Sequence, residues 1–391
     1  MSYPETEVLT SLVARVFRVE DVTLGDPKQF ITRYRGQLLS EDSVAAYDQL
    51  DASVASYNLM PLFRVENGGH VIYLVPRLPE PPPVKTSTPI ILFILTVFSV
   101  MLAGAQPEGV VPEGAFAQIL FLLKNIFTGW PFALSLLSIL LAHEFGHYFM
   151  SRYHKTPATL PYFIPLPFPP LGTMGAAIIM RGIPKNKRVL FDIGVAGPLA
   201  GLVIAIPVLF IGLSMSTTTT LAASPNGFLE GNSLFYLFAK YLSFGQWLPA
   251  PAAPHGILYW LQFFFTGSPI PFGGQDVLIS NVAFAGWAGL LVTALNLLPA
   301  GTLDGGHVIY ALLGEKASKA FPYILGLLGV LGLFWSGWWI WAVLLLWLGR
   351  VHAEPLDQIT PLDMSRRMLA VLVIILFILT FSPVPFMTLA Q

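Results

Sequence analysis

Seven apolar runs, most of them of about membrane-spanning length, constrain this chain more than any other feature; the sixth is short, and the fifth and sixth could be one broken pair around Ser336-Gly337. A helix needs about 20 mostly apolar residues to cross the hydrocarbon core of a bilayer. Charged residues make up only 11% of the sequence, against roughly 25% in a typical soluble domain. We therefore predict a mainly α fold, a polytopic transmembrane helical bundle. The predicted spans are residues 88–105, 130–151, 189–214, 277–298, 319–335, 337–349 and 367–383. Shorter apolar pieces leave this number open by one or two: residues 115–128, 232–247 and 255–266.

The distribution of basic residues predicts how these spans are oriented. Cytoplasmic loops of membrane proteins carry an excess of Lys and Arg. With the amino terminus inside, all but two of the 21 basic residues fall on inner segments, the exceptions being Lys124 and Lys240. We expect an integral, multi-pass protein of a plasma or thylakoid membrane. Its amino-terminal part should be cytoplasmic and its carboxy terminus should lie on the far side.

The first 85 residues have the composition of a soluble domain, because they hold half of the 22 acidic residues. We predict a small α/β domain over residues 1–85, ending in a Pro-rich linker, and a transmembrane domain over residues 86–391. The formal net charge of −1 gives no sign of a nucleic-acid partner. The predicted order of elements in the small domain is helix, strand, helix capped by Ser40, and Asn-Gly hairpin. These lie at Glu7–Val19, Gln29–Leu38, Ser40–Tyr57 and Pro61–Val75.

The second predicted span contains the sequence His143-Glu144-Phe145-Gly146-His147. Residues i and i+4 share one face of a helix, so both imidazoles can reach one metal ion while Glu144 acts as a general base. Charged groups inside a span cost about 2.5–3.5 kcal/mol each, so they need partners or a function. The alternative is that these side chains form hydrogen bonds across the bundle. Because the chain has no Cys, any metal must be held by His, Asp or Glu.

A third protein ligand is needed, because catalytic zinc sites usually have three. The candidate is Asp304, which follows the fourth predicted span and precedes Gly305 and Gly306. The second and fourth spans both end on the inner side, so the two motifs should lie near the same leaflet. An ordinary turn aspartate is the alternative for Asp304. His307 is either a partner of a metal ligand or a surface residue near a helix start.

The two motifs together resemble those of the site-2 protease family of intramembrane zinc metalloproteases. They read His143-Glu144-Phe145-Gly146-His147 and Asn296-x-x-Pro299-x4-Asp304-Gly305, and the resemblance covers about residues 130–310. The amino-terminal part, with Tyr34-Arg35-Gly36-Gln37-Leu38, is similar to the cyanobacterial and plastid branch of this family. It lacks the Gly-Asn-Leu-Arg motif that is typical of that branch at this place.

The resemblance implies a chemistry and a set of partners. It implies one catalytic Zn²⁺ per chain, held by His143, His147 and Asp304, with Glu144 as the general base. It suggests that Asn296 orients the substrate or its oxyanion. The implied substrates are membrane-anchored proteins that are cut within the lipid bilayer, after an upstream protease has acted first, in regulated intramembrane proteolysis.

Five prolines in residues 160–171 exclude a helix directly after the second span. Irregular backbone at membrane depth is tolerated only where protein or water covers it. The segment is therefore either a re-entrant wall of the active site or a loop that lies on the headgroups. The β-compatible stretch that follows is a candidate edge strand for pairing with an unwound substrate. The predicted substrate-binding residues are Gly172, Thr173, Met174, Gly175, Ala176 and Ala177.

These features predict an intramembrane zinc endopeptidase. The alternatives are a membrane metal transporter, in which the His pair is a transit site, and an inactive protease-like scaffold. A transporter favours several polar sites along a pore, whereas the remaining predicted spans are bare of charge. The presence of all four expected chemical residues argues against an inactive scaffold.

Overall fold

The computed structural model describes residues 4–26, 29–79, 81–83, 85–106, 112–224, 227–348 and 354–389. The described residues are mainly helical, with a small amino-terminal sheet domain, which confirms this part of the predicted fold. The helices are α1 (Thr6–Val13), α2 (Ser43–Val54), α3 (Ser87–Ala103), α4 (Ala115–Lys124), α5 (Trp130–Tyr153), α6 (Lys187–Ser214), α7 (Leu234–Phe244), α8 (Ile257–Thr266), α9 (Asn281–Asn296), α10 (Asp304–Leu313), α11 (Phe321–Leu331), α12 (Gly337–Leu348) and α13 (Met364–Thr380). The strands are β1 (Phe17–Leu24), β2 (Thr32–Leu38), β3 (Leu59–Glu66), β4 (Gly69–Pro76), β5 (Tyr162–Pro165), β6 (Thr173–Ala177), β7 (Thr217–Thr220), β8 (Phe228–Glu230), β9 (Gln275–Leu278) and β10 (Phe386–Thr388).

The amino-terminal module is an antiparallel sheet in the order β1-β2-β4-β3, with α1 and α2 packed on its core. The predicted strand β2 and the β3–β4 hairpin are both present. The first helix, however, ends at Val13, and β1 begins at Phe17 inside the range predicted as helical. Pairing of β1 with β2 overrides the helical spacing there. Asp42, and not Ser40, caps α2 by accepting from the N–H groups of Val44 and Ala45.

Two described helices are long and apolar enough to cross a membrane, the segment Ile126–Tyr153 that contains α5, and α6. Five other apolar helices have only 10–17 residues. The prediction of seven spans is therefore not confirmed. The reason is that several apolar runs include strand and turn residues: the run 277–298 contains the end of β9, and its helix covers only Asn281–Asn296.

Small residues let α6 pack closely between α5 and α9 in the centre of the bundle. A methyl group on Gly146 of α5 would lie 2.5 Å from the carbonyl oxygen of Ala196 on α6. A methyl group on Gly286 of α9 would lie 2.6 Å from the backbone of Leu209. Close backbone approach of this kind is the usual role of Gly in packed membrane helices.

Strands β5 and β6 form a hairpin that lies along α3. Phe163 of β5 packs edge-on against Phe93, with ring centroids 5.0 Å apart. Ser99 Oγ donates to the carbonyl oxygen of Gly172 at 2.6 Å. Ser99 lies in the last turns of α3, so the hairpin reaches far along that helix. These contacts hold the hairpin against the helical bundle, and its place as a re-entrant wall stays a prediction.

Residues 354–361, between α12 and α13, form a docking segment that joins the amino-terminal module to the rest of the chain. Phe63 of β3 donates its N–H to the Leu356 carbonyl at 2.9 Å, and Gln358 donates back to the Phe63 carbonyl at 3.0 Å. Leu356 and Ile359 pack against the core of the module. Asp357 is fully buried, and burial raises the pKa of its carboxyl above the usual range. The module at residues 1–85 thus completes its core with residues from the other predicted domain.

A buried ion pair lies outside the sites that the sequence singled out. Nζ of Lys240 on α7 lies 3.1 Å from Oδ1 of Asp276 on β9, and both side chains are almost fully buried. Nearby, the Tyr236 hydroxyl donates to Glu230 at 2.7 Å. Taking charges out of water costs several kcal/mol per ion, so each of them depends on its partner.

Asp276→Asn should destabilise the protein by up to about 3–5 kcal/mol, because it removes the carboxylate bonded to the buried Lys240 ammonium and leaves Glu230 to balance that charge. Thermal unfolding of the purified protein in detergent measures the loss as a lower Tm. The matched control is Asp276→Asn combined with Lys240→Met, which removes both charges and should recover most of the stability. Equal melting of the single and the double variant would contradict this account.

Candidate metal centre

Helix α5 presents its two histidines one turn apart on a buried face. His143, Glu144 and His147 are 3%, 5% and 6% exposed. The helix is uninterrupted from Trp130 to Tyr153, so the i, i+4 spacing puts both imidazoles on the same side, as the sequence predicted. Three polar side chains on a buried helix face must satisfy one another or a ligand, because an unpaired buried polar group is costly.

Asp304 is the first residue of α10, directly after a tight turn that follows α9. The turn is possible only because the next two residues are glycines. A methyl group on Gly305 would overlap with the carbonyl of Leu297, and one on Gly306 would overlap with the carbonyl of Gly301. The glycines therefore let α10 start close to the end of α9, which brings the Asp304 carboxylate to α5.

The three predicted ligands lie together. Nε2 of His143, Nε2 of His147 and Oδ2 of Asp304 form a nearly equilateral triangle with sides of 3.2, 3.2 and 3.3 Å. Tetrahedral zinc with bonds of about 2.0–2.1 Å requires donor atoms about 3.3 Å apart. Two imidazoles and one carboxylate also leave a fourth position open, which is typical of catalytic zinc. The donor set and its spacing therefore fit a zinc ion.

Hydrogen bonds orient the ligands. Nδ1 of His147 lies 2.7 Å from the carbonyl oxygen of Ile193 on α6. A carbonyl only accepts, so Nδ1 carries the proton and the lone pair of Nε2 points into the triangle. Nδ2 of Asn296, the last residue of α9, lies 3.2 Å from Nε2 of His143. Asn296 thus borders the triangle, and its role toward a substrate stays a prediction.

Three glycines of α6 face the triangle. A methyl group on Gly194 would lie 2.9 Å from Cβ of His307, and one on Gly201 would lie 3.3 Å from Cβ of His143. On Gly197 it would overlap with the imidazole ring of His147. Such glycines are by themselves typical of close helix packing. Their Gly-x-x-Gly-x3-Gly spacing marks one helix face, but nothing in the sequence says that the face meets the His pair.

A cavity of about 460 Å³ opens onto the triangle. Glu144 lines it, together with Ile178. His307 also lines it and is buried, one turn after Asp304. The interpretation of His307 as a surface residue is therefore wrong, and its role as a partner of a ligand stays a prediction. The remaining wall includes Ala176, Ala177, Ile179 and Met180.

A second cleft of about 210 Å³ shares Glu144, Ala176 and Asn296 with this cavity and runs along β6 to Trp341 of α12. Of the six predicted substrate-binding residues, Thr173, Met174, Gly175 and Ala176 line this cleft, and Ala177 lines the cavity at the triangle. Gly172 lies apart, in contact with Ser99 of α3.

Gly197→Ala should abolish zinc binding, because the new methyl group needs the space of the His147 ring. Elemental analysis of the purified protein gives the zinc content per chain. Gly326→Ala is the matched control, because a methyl group at this α11 position meets nothing within 4 Å. A fully zinc-loaded Gly197→Ala variant would show that the contact between α6 and His147 does not shape the site.

The part of the chain that holds the metal centre matches a known protein family. Residues 131–333, more than half of the chain, match the model of Peptidase family M50. The probable zinc metalloprotease EGY1, chloroplastic, of Oryza sativa subsp. japonica is 30% identical over 315 residues, which are 75% of this chain and 50% of that protein. EGY1 of Arabidopsis thaliana is 30% identical over 262 residues, 65% of this chain and 43% of that protein. EGY2 of Oryza sativa subsp. japonica is 27% identical over 338 residues, 84% of this chain and 56% of that protein.

The chain spans about half the length of the curated relatives it matches. The family match covers both halves of the metal centre, the His pair and Asp304. It confirms the resemblance to site-2 proteases, and the relatives named as chloroplastic confirm the plastid-like branch. The chain belongs to Peptidase family M50.

Proposed function

We propose that this protein is an intramembrane zinc endopeptidase that cuts membrane-anchored proteins. The observation that carries the proposal is the triangle of His143, His147 and Asp304 with Glu144 beside it in one buried cavity. The relatives named as probable zinc metalloproteases support it. Two imidazoles, a carboxylate and a neighbouring carboxylate base are the parts that metal-assisted hydrolysis needs.

Each residue of the site has a role in this mechanism. A zinc ion bound in the triangle supplies Lewis acidity toward the scissile carbonyl and toward water. Glu144 takes a proton from the attacking water on its carboxylate and passes it to the leaving amine. The side-chain amide of Asn296 donates to the carbonyl oxygen on which negative charge develops. Ile193 keeps the His147 ring in the tautomer that binds metal.

The substrate binds along β6. A helical substrate must unwind before water can reach a carbonyl, and each unpaired backbone group in lipid costs several kcal/mol. β6 pairs with β5 on one edge only, and the cleft with Glu144 and Asn296 lies beside it. An unwound segment can therefore add to the other edge of β6 as a strand. Its scissile bond would lie between Glu144 and the triangle.

The proposed topology follows from the basic residues and the apolar helices. The helices around the two long spans complete a bundle of about seven passes, and the amino-terminal module is cytoplasmic. An upstream protease that shortens the substrate first fits a cavity of this size, because a bulky domain on the substrate would obstruct entry along β6. Zinc stoichiometry together with cleavage of a membrane-embedded peptide separates this function from a metal transporter and from an inactive scaffold.

Glu144→Gln should retain one zinc per chain and lose cleavage by at least ~100-fold, because a general base typically contributes about 10²–10⁴-fold. Cleavage of a membrane-embedded model peptide and elemental analysis of the same sample measure the two properties. Asp304→Ala is the contrasting variant, since it removes a ligand and should lower zinc content as well. Wild-type turnover by Glu144→Gln would reject the assigned base.

Proline at Ala176 or at Ala177 should reduce cleavage while zinc stays bound. Successive N–H groups of a strand point to opposite edges, so one substitution removes a donor to β5 and the other removes a donor to the free edge. The variant that loses a donor to the free edge should lose cleavage with little change in Tm. The variant that loses a donor to β5 should lose cleavage and also have a lower Tm. Substrates with helix-breaking residues near the cut site should be preferred. Unchanged cleavage in both variants would require the edge-strand idea to be dropped.

A further inference from the structure

The docking segment contacts the residues directly before α6 and also helix α10, and both helices border the metal triangle. Leu356 donates its N–H to the carbonyl of Pro184 at 3.0 Å, and Asp357 donates to that of Lys185 at 2.8 Å, directly before α6 begins. On its other side, Nε2 of Gln358 donates to the hydroxyl oxygen of Tyr310 on α10 at 2.9 Å. Three consecutive residues therefore tie the start of α6 to α10.

Both anchor points lie close to the triangle along rigid helices. Ile193, whose carbonyl accepts from His147, is eight residues after Lys185 and six residues after the start of α6, and Asp304 is six residues before Tyr310 on α10. At 1.5 Å per residue, the helical part of each distance is about 9 Å. Leu190 of α6 and Tyr310 also pack together in one buried cluster. A change in the distance between α6 and α10 at the docking segment therefore moves Asp304, which is a metal ligand, and Ile193, whose carbonyl orients His147.

The amino-terminal module holds the docking segment in place. Beyond the backbone pairing with Phe63, the Ser43 hydroxyl lies 2.8 Å from that of Thr360, and this contact is buried. The Thr360 hydroxyl in turn donates to Asp357, whose carboxylate also accepts the N–H groups of Ile359 and Thr360. These bonds fix the conformation of the segment and with it the direction of the Gln358 side chain.

We propose that Gln358 and Tyr310 are positioning residues for the metal triangle, and that the amino-terminal module sets the spacing of α6 and α10 through them. The proposal rests on the proposed function in one respect, that the triangle holds zinc. Anything that displaces the module from the docking segment then weakens zinc binding, although the module itself contributes no ligand. The contact between the module and the docking segment therefore affects the geometry of the active site.

The first test measures zinc affinity of the full chain in detergent, by competition with a chelating dye. Gln358→Ala and Tyr310→Phe should each raise the zinc Kd by about 3–10-fold, less than the ~10–100-fold for groups bonded directly to a metal ligand, because both act through the spacing of the helices. Tyr73→Phe is the matched control, because its hydroxyl bonds Glu66 within the amino-terminal module. Its zinc Kd should equal that of the wild type.

The second test measures the spacing of the two helices without zinc or activity. The chain has no Cys, so Ile183→Cys and Leu313→Cys, both at exposed positions, give one spin-label pair across the start of α6 and the end of α10. Gln358→Ala should shift or broaden the distance distribution, and Tyr73→Phe should leave it unchanged.

The outcomes separate the two proposals. A lower Tm for Gln358→Ala with unchanged zinc Kd and unchanged label distance would show ordinary packing and overturn the positioning role. Tyr310→Phe, which removes one oxygen atom, serves the same comparison if Gln358→Ala fails to fold. Failure of the wild type to bind zinc or to cleave peptide would overturn the proposed function instead, and the label distance would still test the spacing.

Discussion

The structure depends on bringing two imidazoles and one carboxylate to within 3.3 Å of one another inside an apolar bundle. Each of these groups is costly to bury alone, so the helices that carry them must meet closely. That requirement explains the glycines at both helix contacts. Gly197 and Gly201 on α6 leave room for the His rings, and Gly305 lets Asp304 approach from the turn after α9. A larger residue at Gly197 or Gly201 would crowd a His ligand, and one at Gly305 would overlap with the Leu297 carbonyl and push Asp304 away.

A proline in the middle of α6 contributes to the same geometry. Pro198 has no N–H to donate to the carbonyl four residues earlier, and its ring crowds that turn. The carbonyl that loses this donor is that of Gly194, the residue after Ile193, whose own carbonyl accepts the proton of His147 Nδ1. The glycines make this face of α6 thin, and the Ile193 carbonyl makes it hydrogen-bonding.

The sequence predicted the chemistry of the site better than its architecture. The His pair could be predicted because the i, i+4 rule concerns adjacent turns of a single helix. Asp304 could be predicted because Asp-Gly-Gly is a short motif. The seven spans were inferred from apolar runs, and composition does not register where strands such as β9 or turns interrupt a run. Ile193 and Lys240 were missed because a backbone carbonyl carries no residue signature and because Asp276, the partner of Lys240, is distant in sequence.

The same limit of local reasoning applies to the domain division. Composition separates residues 1–85 from the apolar remainder, yet the core of that module includes Leu356 and Ile359. Physically the docking segment belongs to both parts, because its two edges pair with β3 and with the residues before α6. A domain that only tethered substrates would not need Leu356 and Ile359 from the rest of the chain in its core. Fully buried Asp357 and Thr360 at this junction indicate a permanent joint, since their hydrogen-bonded groups would lose buried partners whenever the module moved away.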